Sequence, residues 1–389
     1  MLWIVTDDIY AETWRRLLEF ANLDLTVDQI EKRHGKPSSK SQVENYKKQA
    51  RQARVCVLQA KEYFDAARAS SLFTSPNHAY YGAVALASLM MLILGDGKHS
   101  LDVLRSDNTN NHHGLDFTTA CTAKTAPDGL KLLEESRVTV CTHGHFANWY
   151  RLLPARGAVF AKVTRTLGKD GGLHQVTMEQ IGGYDIPLIE QISKAKIPLV
   201  DLFKFLPDLD SDLQRFGINS SRARSTHEVI YQADRKVTHT WSLHGCRSAA
   251  EREDLLEKFA ITPRFADAYS LEGLETSNSA IITLAFELPA EVGFRWPPAR
   301  DTMSHEAISY ARDIETHEVV DLYLIAYQLS MLSRYFPDIW ISCIESQCRA
   351  AKLIERAVDL LVKKLPILAL SFLSARETVI STHRAPWAA

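Results

Sequence analysis

Between Ser41 and about Ser70 the apolar residues Tyr46, Ala50, Ala53, Val57, Ala60, Phe64 and Ala67 return every three or four positions, the spacing of one face of an amphipathic helix. Ser41-Gln42-Val43-Glu44 has the form of a capping box at its start. Ser75-Pro76-Asn77 opens a second helix, since proline is tolerated in a first turn, where the missing N–H has no partner to lose. Tyr81, Val84, Ala85, Ser88, Leu89 and Leu92 carry that helix to Gly95, and it is apolar on nearly every side. Such a helix must be covered all round, so the pair reads as an αα-hairpin whose second member lies at the centre of a bundle. Upstream, residues 9–24 predict a short amphipathic helix through Trp14, Leu17, Leu18 and Phe20, followed by a polar, basic connector as far as Lys40.

The pattern changes in the middle of the chain. Arg137 to Cys141, Ala158 to Thr164, His227 to Leu243 and Ser279 to Leu288 are rich in Val, Thr, Ile and aromatic residues with stretches of period two, which predicts strands. Between them, Ile197 to Phe216 reads as a short helix stopped by Pro207 and then a further helical turn. Trp296-Pro297-Pro298 punctuates the chain before helical spacing returns from about Ser304 to Ser333, again from Asp338 to Val362, and finally around Pro366 to Ile380. The expected fold is mainly α: a helical bundle built from N- and C-terminal helices, with a mixed α/β segment inserted between them. The expected divisions are residues 1–135, 136–300 and 301–389. The first and third should pack together, because Val319, Val320, Leu322, Tyr323, Ile325, Ala326 and Leu329 offer a surface that matches the Tyr80–Leu94 helix.

A length of 389 residues exceeds one ordinary core, in keeping with several packed segments. With 46% hydrophobic and 24% charged residues, the chain has the composition of a globular protein. Lys+Arg 45 against Asp+Glu 47 gives a net charge of -2, which excludes a surface built throughout for nucleic acid and makes any polyanion site local. The six cysteines (Cys56, Cys121, Cys141, Cys246, Cys343, Cys348) form no Cys-x-x-Cys pair, the usage of reduced thiols in a cytoplasmic protein. The opening Met1 to Asp8 has no basic start and predicts no secretory signal. The apolar runs Tyr80–Leu94 and Leu360–Leu373, the latter broken by Lys363, Lys364 and Pro366, fall short of the roughly 20 residues that span a bilayer, so both read as core helices and no membrane contact is expected.

Three motifs stand out together: Asn77-His78-Ala79-Tyr80-Tyr81-Gly82, then Asn111-His112-His113-Gly114-Leu115, then Ser330-Met331-Leu332-Ser333-Arg334-Tyr335-Phe336-Pro337-Asp338-Ile339-Trp340. In order and spacing, with Trp14 and the Phe-Leu-Pro-Asp-Leu turn near Pro207, the chain resembles the YaaC-like bacterial family across most of its length. That resemblance implies architecture and brings no catalytic residue with it. More remotely, Tyr80-Tyr81 and the His-x-Gly-Leu element at His112 are similar to HEPN-type helical bundles. Many of these are ribonucleases with an Arg-x4-6-His motif, a spacing met by Arg105 with His112 and again by Arg376 with His383. The resemblance implies that Arg105 and His112 would cleave RNA without a metal, His112 moving the 2′-hydroxyl proton and Arg105 stabilising the charged phosphorane. The plainer reading places His112 and His113 as packing groups of a polar loop, Ser106 to Asn111 being loop-like.

A basic stripe is the other candidate. Lys47, Arg51, Arg54, Lys61 and Arg68 lie opposite the apolar face of the long helix, and residues 31–70 hold ten Lys/Arg against four Asp/Glu, a local charge of +6. Lys47, Arg51, Arg54 and Lys61 are the expected nucleic-acid or partner-binding residues, set against the common case of a merely solvated helix face. Cys141, His143 and His145 would share one face if they lay on a strand, although no second pair at zinc spacing stands nearby and no metal is expected; His174, His239, His244 and Cys246 would have to approach in space. His305-Glu306 and His317-Glu318 lack the second histidine of a zincin helix and read as helix-surface residues. Gly168-Lys169-Asp170-Gly171-Gly172 lacks the spacing of a phosphate-binding loop and reads as a hairpin turn, and there is no Gly-x-Ser-x-Gly elbow. Arg334, on an otherwise apolar helix, is a candidate functional residue, set against the commoner case of an arginine that pairs with a buried carboxylate and fixes packing. The sequence therefore points to a non-catalytic helical binding or assembly module without a cofactor, acting with another protein subunit or with RNA or DNA, in a defence-type multi-protein system by association. The alternative is the HEPN-like ribonuclease.

Overall fold

The computed structural model of the chain describes residues 2–97, 100–106, 111–154, 156–167, 173–185, 187–218, 222–231, 236–244, 269–273, 279–287, 299–309, 316–374 and 378–381; of these, 2–3, 105, 156–185, 207, 222–309, 349 and 378–381 are described by their backbone alone. The chain forms two compact units, Met1–Leu153 with Leu188–Ile218 and His317–Ala389, and Pro154–Pro187 with Asn219–Thr316.

The first unit is mainly helical. It runs β1 (Leu2–Val5), α1 (Ile9–Leu17) with a 3-10 turn (Leu18–Ala21), α2 (Leu23–His34), α3 (Lys40–Ala69), α4 (Ser75–Leu94), α5 (Leu101–Ser106), β2 (Leu115–Thr119), α6 (Gly129–Glu135), β3 (Ser136–Val140) and α7 (His145–Tyr150). After the second unit's first segment come α8 (Ile189–Ile192), β6 (Lys196–Pro198), α9 (Leu199–Lys204) and α10 (Asp210–Arg215), and after its second segment α11 (Glu318–Tyr335), α12 (Pro337–Glu345), α13 (Arg349–Ser374) and β12 (Thr378–Ser381). The second unit holds the antiparallel pair β4 (Arg156–Leu167) and β5 (Leu173–Asp185), and an antiparallel sheet of β7 (Arg222–Tyr231), β8 (Lys236–His244), β9 (Tyr269–Gly273), β10 (Ser279–Glu287) and β11 (Ala299–Ser309) in the order β11-β7-β8-β10-β9. The Gly168–Gly172 turn itself lies outside the described residues.

Helix α4 organises the first unit. Its apolar sides are covered by α3, α7, α11 and α13, so the terminal parts of the chain do pack together. It is long and apolar enough to cross a membrane, but 67% of its most apolar window is buried inside the protein, which makes it a core helix. Gly82 lets α3 close onto it: an added Cβ would lie 2.7 Å from the Phe64 ring. The strands β2, β3 and β6 form a three-stranded antiparallel sheet, and β1 pairs in parallel with β12, joining the two ends of the chain.

Several expectations are corrected. Ser39, not Ser41, caps α3, its Oγ accepting from the Gln42 N–H at 3.2 Å; Glu44 sits inside the helix and pairs with Lys47. The basic connector before Lys40 is mostly α2, capped by Asn22 and anchored by only two buried residues, Thr26 and Ile30. Residues 136–153 and 188–218 stay with the helical unit because β3 pairs with β2 and β6, while 301–309 go with the second because β11 pairs with β7. Helix therefore resumes at Glu318 rather than Ser304; His305 and Glu306 are strand residues, and His317 and Glu318 begin α11. Helix α13 runs unbroken through Pro366. A proline inside a helix costs about 3 kcal/mol, yet Leu361, Val362, Leu365, Ala369, Leu370 and Leu373 on both sides of it are buried, and that shared burial holds the two halves in line.

Candidate functional site: a tyrosine, histidine and arginine cluster

Four residues of α11, Tyr323, Tyr327, Ser330 and Arg334, follow one another at intervals of four, three and four, so they share one face of that helix. Asn77, Tyr80, Tyr81 and Ser88 do the same on α4. The two faces meet: Asn77 Oδ1 accepts from the Ser330 and Ser333 hydroxyls at 3.1 and 2.8 Å, and Tyr80 packs edge-on against Tyr323 and Tyr327 with ring centroids 5.8 and 5.5 Å apart. Two glycine-bearing loops complete the arrangement. The His145 N–H donates to the His112 carbonyl and the Phe146 N–H to that of His113, both at 2.9 Å, while the Cys141 N–H reaches the Gly114 carbonyl at 3.0 Å. Gly114 (φ 78) and Gly144 (φ 98) stand face to face where these loops touch.

Polar groups then run in a line from the core to the surface. Ser88 Oγ donates to the Val84 carbonyl and lies 2.9 Å from His145 Nε2; His145 Nδ1 lies 3.3 Å from the Tyr323 hydroxyl. The Tyr323 and Tyr80 hydroxyls hydrogen-bond each other, and the Tyr80 hydroxyl lies 2.9 Å from His113 Nδ1. Burial is the main reason that Tyr80, Tyr323 and Tyr327 are all held well above the ordinary phenol range, so each keeps its proton. His113 is exposed, but its Nδ1 meets the buried Tyr80 hydroxyl; desolvation first, then the charges of Arg334 and His112, pushes its pKa down and keeps it neutral near pH 7.

At the outer end Arg334 is half-buried. Its Nη1 donates to the Tyr81 hydroxyl at 2.6 Å, and its Cζ lies 5.2, 5.1 and 5.8 Å from the ring centroids of Tyr81, Tyr335 and Tyr80. The expected buried carboxylate is missing: among the described residues Arg334 makes no ion pair, and its remaining contacts are the Ser330 carbonyl and Met331 Sδ. Tyr81 and Tyr335 are exposed, and Tyr63 stacks on Tyr81 at 5.6 Å and 28°. An oriented guanidinium among aromatic rings, with no anion of its own, is suited to a phosphate and the base beside it.

The sequence candidates lie elsewhere or do other work. The Arg105 side chain is outside the described residues, as are Arg376 and His383. His112 is exposed, its Nδ1 accepting from the Gly114 N–H at 3.0 Å, so it braces the loop while its neighbour His113 faces the cluster. On α3, Lys47 is paired with Glu44; Lys61 is paired with Asp65 and sits over the Tyr10 and Trp14 rings, and Arg68 stacks on Tyr10 at 3.9 Å. The Tyr10 hydroxyl is pushed up to about 12 by burial and by Asp65. Lys61 and Arg68 thus fix α1 onto α3, leaving Arg51 and Arg54 as the exposed cations of the stripe with no ion pair among the described residues. Cys141 to Gly144 form a turn rather than strand, Cys141 Sγ facing Asp116 Oδ2 at 3.5 Å and His145 turning to Ser88 and Tyr323, so the strand face assumed for a metal does not form. Among the described residues no group of three or more His, Cys, Asp or Glu could hold a metal ion; His174, His239 and His244 lie on strands of the second unit, and Cys246 is outside the described residues.

The sequence model of the YaaC-like protein family matches residues 20–373, and the chain belongs to that family. No curated protein and no solved structure matches it, and nothing in these comparisons bears on the likeness to HEPN-type bundles.

Proposed function

We propose that this chain is a cytoplasmic helical binding module, working with another protein subunit, whose recognition surface for single-stranded nucleic acid is the Arg334, Tyr81 and Tyr335 patch. The observation that carries the reading is the Arg334 cation, held in place by Tyr81 and set among tyrosine rings with no ion pair among the described residues. A structural arginine so placed would leave a half-desolvated charge uncompensated, whereas a phosphate supplies the missing anion and the exposed rings offer the faces on which bases stack. The net charge of -2 agrees with a local site rather than a basic surface. Arg51 and Arg54 add a second, purely electrostatic contribution.

The test is fluorescence anisotropy with a labelled single-stranded oligonucleotide across a salt series. Arg334→Met should weaken binding about 10- to 100-fold, the scale of one lost charged hydrogen bond with its stacking. Arg51→Glu with Arg54→Glu should lower affinity at low salt and reduce the salt slope by about 0.7 per lost phosphate contact, with stability unchanged within about 0.5 kcal/mol. Equal affinity of wild type and Arg334→Met overturns the patch as the binding surface. A protein that captures an acidic subunit and ignores nucleic acid overturns the ligand class.

A further inference from the structure

We infer that Cys343 and Cys348 form a dithiol modification site that a hydroperoxide oxidises, Cys348 reacting with the peroxide and Cys343 then closing an intramolecular disulfide with it. The inference goes beyond the nucleic-acid reading of the Arg334 patch and does not rest on it.

The end of α12 brings the two thiols together. Cys343 sits in the last turn of that helix and is fully buried, while Cys348 stands half-buried just before α13. Had the helix continued, side chains five positions apart would point to different faces. It stops instead, and Gln347 takes a left-handed conformation, φ 47, that turns the chain back. A residue with a side chain enters that region uncommonly, so the turn is held from outside itself. The Gln347 N–H donates to the Ile344 carbonyl at 3.2 Å, and the Cys343 carbonyl accepts from the Ser346 hydroxyl at 2.8 Å and from the Cys348 thiol at 3.5 Å. The result is that Cys343 Sγ lies 3.5 Å from Cys348 Sγ. A disulfide bond is about 2 Å long, so rotation of the half-buried Cys348 side chain has only about 1.5 Å to close. Gly129 of α6 bounds the pair on another side: an added Cβ there would lie 2.8 Å from Cys348 Sγ, so the sulfur rests against bare backbone.

Selectivity among the described cysteines follows from access and from what each sulfur faces. Cys56 and Cys121 are buried, and the Cys121 thiol is engaged by the Thr122 carbonyl at 3.7 Å and the Thr125 hydroxyl at 3.3 Å. Cys141 is half-buried like Cys348, but its thiol faces Asp116 Oδ2 at 3.5 Å, and burial together with that carboxylate pushes its pKa up, against the thiolate. Among the described residues only Cys348 joins solvent access to a second thiol. Burial first, then the neighbouring Cys348, holds the Cys343 thiol well above its ordinary range, so Cys343 keeps its proton until its partner has been oxidised. The chemistry balances with the hydroperoxide as oxidant. The Cys348 sulfur gives up its proton and attacks one peroxide oxygen; the O–O bond breaks, the second oxygen leaves and takes a proton, and Cys348 becomes a sulfenic acid. The Cys343 sulfur then bonds to the Cys348 sulfur, the S–O bond breaks, and the departing hydroxide takes the Cys343 proton to form water. Two electrons pass from the thiols to the peroxide. Two equivalents of a small thiol return both cysteines by exchange through a mixed disulfide.

The experiment treats the reduced full chain with hydrogen peroxide, blocks the remaining thiols with iodoacetamide in denaturant, and maps the cysteines by mass after tryptic digestion without reductant. Arg334 and Arg349 bracket both residues in a single peptide, 335–349, so the bond shows as that peptide lacking two hydrogens and carrying no alkyl group. The expected result is loss of both free thiols from this peptide at peroxide levels that leave Cys56, Cys121 and Cys141 alkylated, and their return with dithiothreitol. In Cys343→Ser, with Cys343→Ala alongside because the position is buried, Cys348 should persist as a sulfenic acid that dimedone traps. In Cys348→Ser, Cys343 should stay reduced. Wild-type mapping stands without either variant. Peptide 335–349 fully alkylated after treatment overturns the inference, and so does oxidation of Cys141 ahead of it. A bond from Cys343 to Cys121, or from Cys348 to a second molecule, overturns the pairing. Oxidation of Cys343 undiminished in Cys348→Ser overturns the order of attack.

Discussion

Replacing Gly144 by alanine is expected to destabilise the helical unit by about 3 to 5 kcal/mol, as the sum of two separable penalties. The first is conformational: φ 98 and ψ -178 lie in a region that residues with a side chain enter at a cost of about 1 to 3 kcal/mol. The second is a collision, because the added Cβ would stand 2.6 Å from both Gly114 Cα and Gly114 N, and 2.8 Å from His112 Cε1. Backbone cannot yield as a flexible side chain can, so the two loops would have to part and break the bonds from His145 and Phe146 to the 112–113 carbonyls. Gly35 supplies the control: at φ 90 and ψ 166 it has nearly the same conformation, but nothing lies within 4 Å of its added Cβ. Gly35→Ala should cost only the conformational part. The difference between the two variants in urea midpoint, at unchanged m, measures the loop contact. Equal losses would mean that the loops do not touch in solution.

The elements that the chain announced were those whose pattern ran long enough to overrule local accidents. The α3 stripe from Tyr46 to Ala67 and the apolar α4 each repeat over several turns, and both helices end within a residue of the ends read from the sequence, Ser70 and Gly95. Where only two residues are buried, as in α2, charged residues outnumber the stripe and the segment reads as a connector. Strand β11 is decided by pairing with β7, from Ala299 with Tyr231 to Ser309 with Arg222, a long-range contact that no local window contains. The same holds for α13: Pro366 signals a break locally, while the buried residues on both sides of it signal continuity only in the packed bundle.

The candidate site was legible as three motifs and illegible as one place. Tyr80-Tyr81, His112-His113-Gly114 and Ser330 to Tyr335 are far apart in the chain, and packing of α4 on α11 brings them together. Choosing between His112 and His113 required the turn at Gly114, whose positive φ leaves one imidazole bracing the loop and aims the other at Tyr80. That Arg334 makes no ion pair among the described residues is a fact about space, so sequence alone favoured the ordinary buried pair over a functional arginine. The stripe on α3 shows the opposite failure, since its cations are real but Lys61 and Arg68 are already occupied by Asp65 and Tyr10.

Tyr323 should tell packing apart from the hydrogen-bond chain, because its ring and its hydroxyl can be removed separately. The ring is fully buried, stacks on Trp149 at 5.0 Å and 26°, and packs against Phe146 and Tyr80 at 5.5 and 5.8 Å. Tyr323→Ala should therefore cost about 3 to 5 kcal/mol, the scale of an aromatic cavity in a core that cannot collapse. Tyr323→Phe keeps the ring and removes only the hydroxyl, which meets His145 Nδ1 at 3.3 Å and the Tyr80 hydroxyl, at a cost of about 1 to 3 kcal/mol. Urea unfolding checks both values, and an alanine variant no less stable than the phenylalanine one would remove Tyr323 from the core. The phenylalanine variant has a second consequence that stability does not report. With the Tyr323 oxygen gone, the Tyr80 hydroxyl is left with His113 Nδ1, 2.9 Å away, to donate to, so the imidazole proton sits on Nε2. Ring-nitrogen NMR shifts of His113 in Tyr323→Phe should therefore report the Nε2–H form while the fold persists. An Nδ1–H imidazole in that variant would mean that Tyr80 does not set the state of the surface histidine.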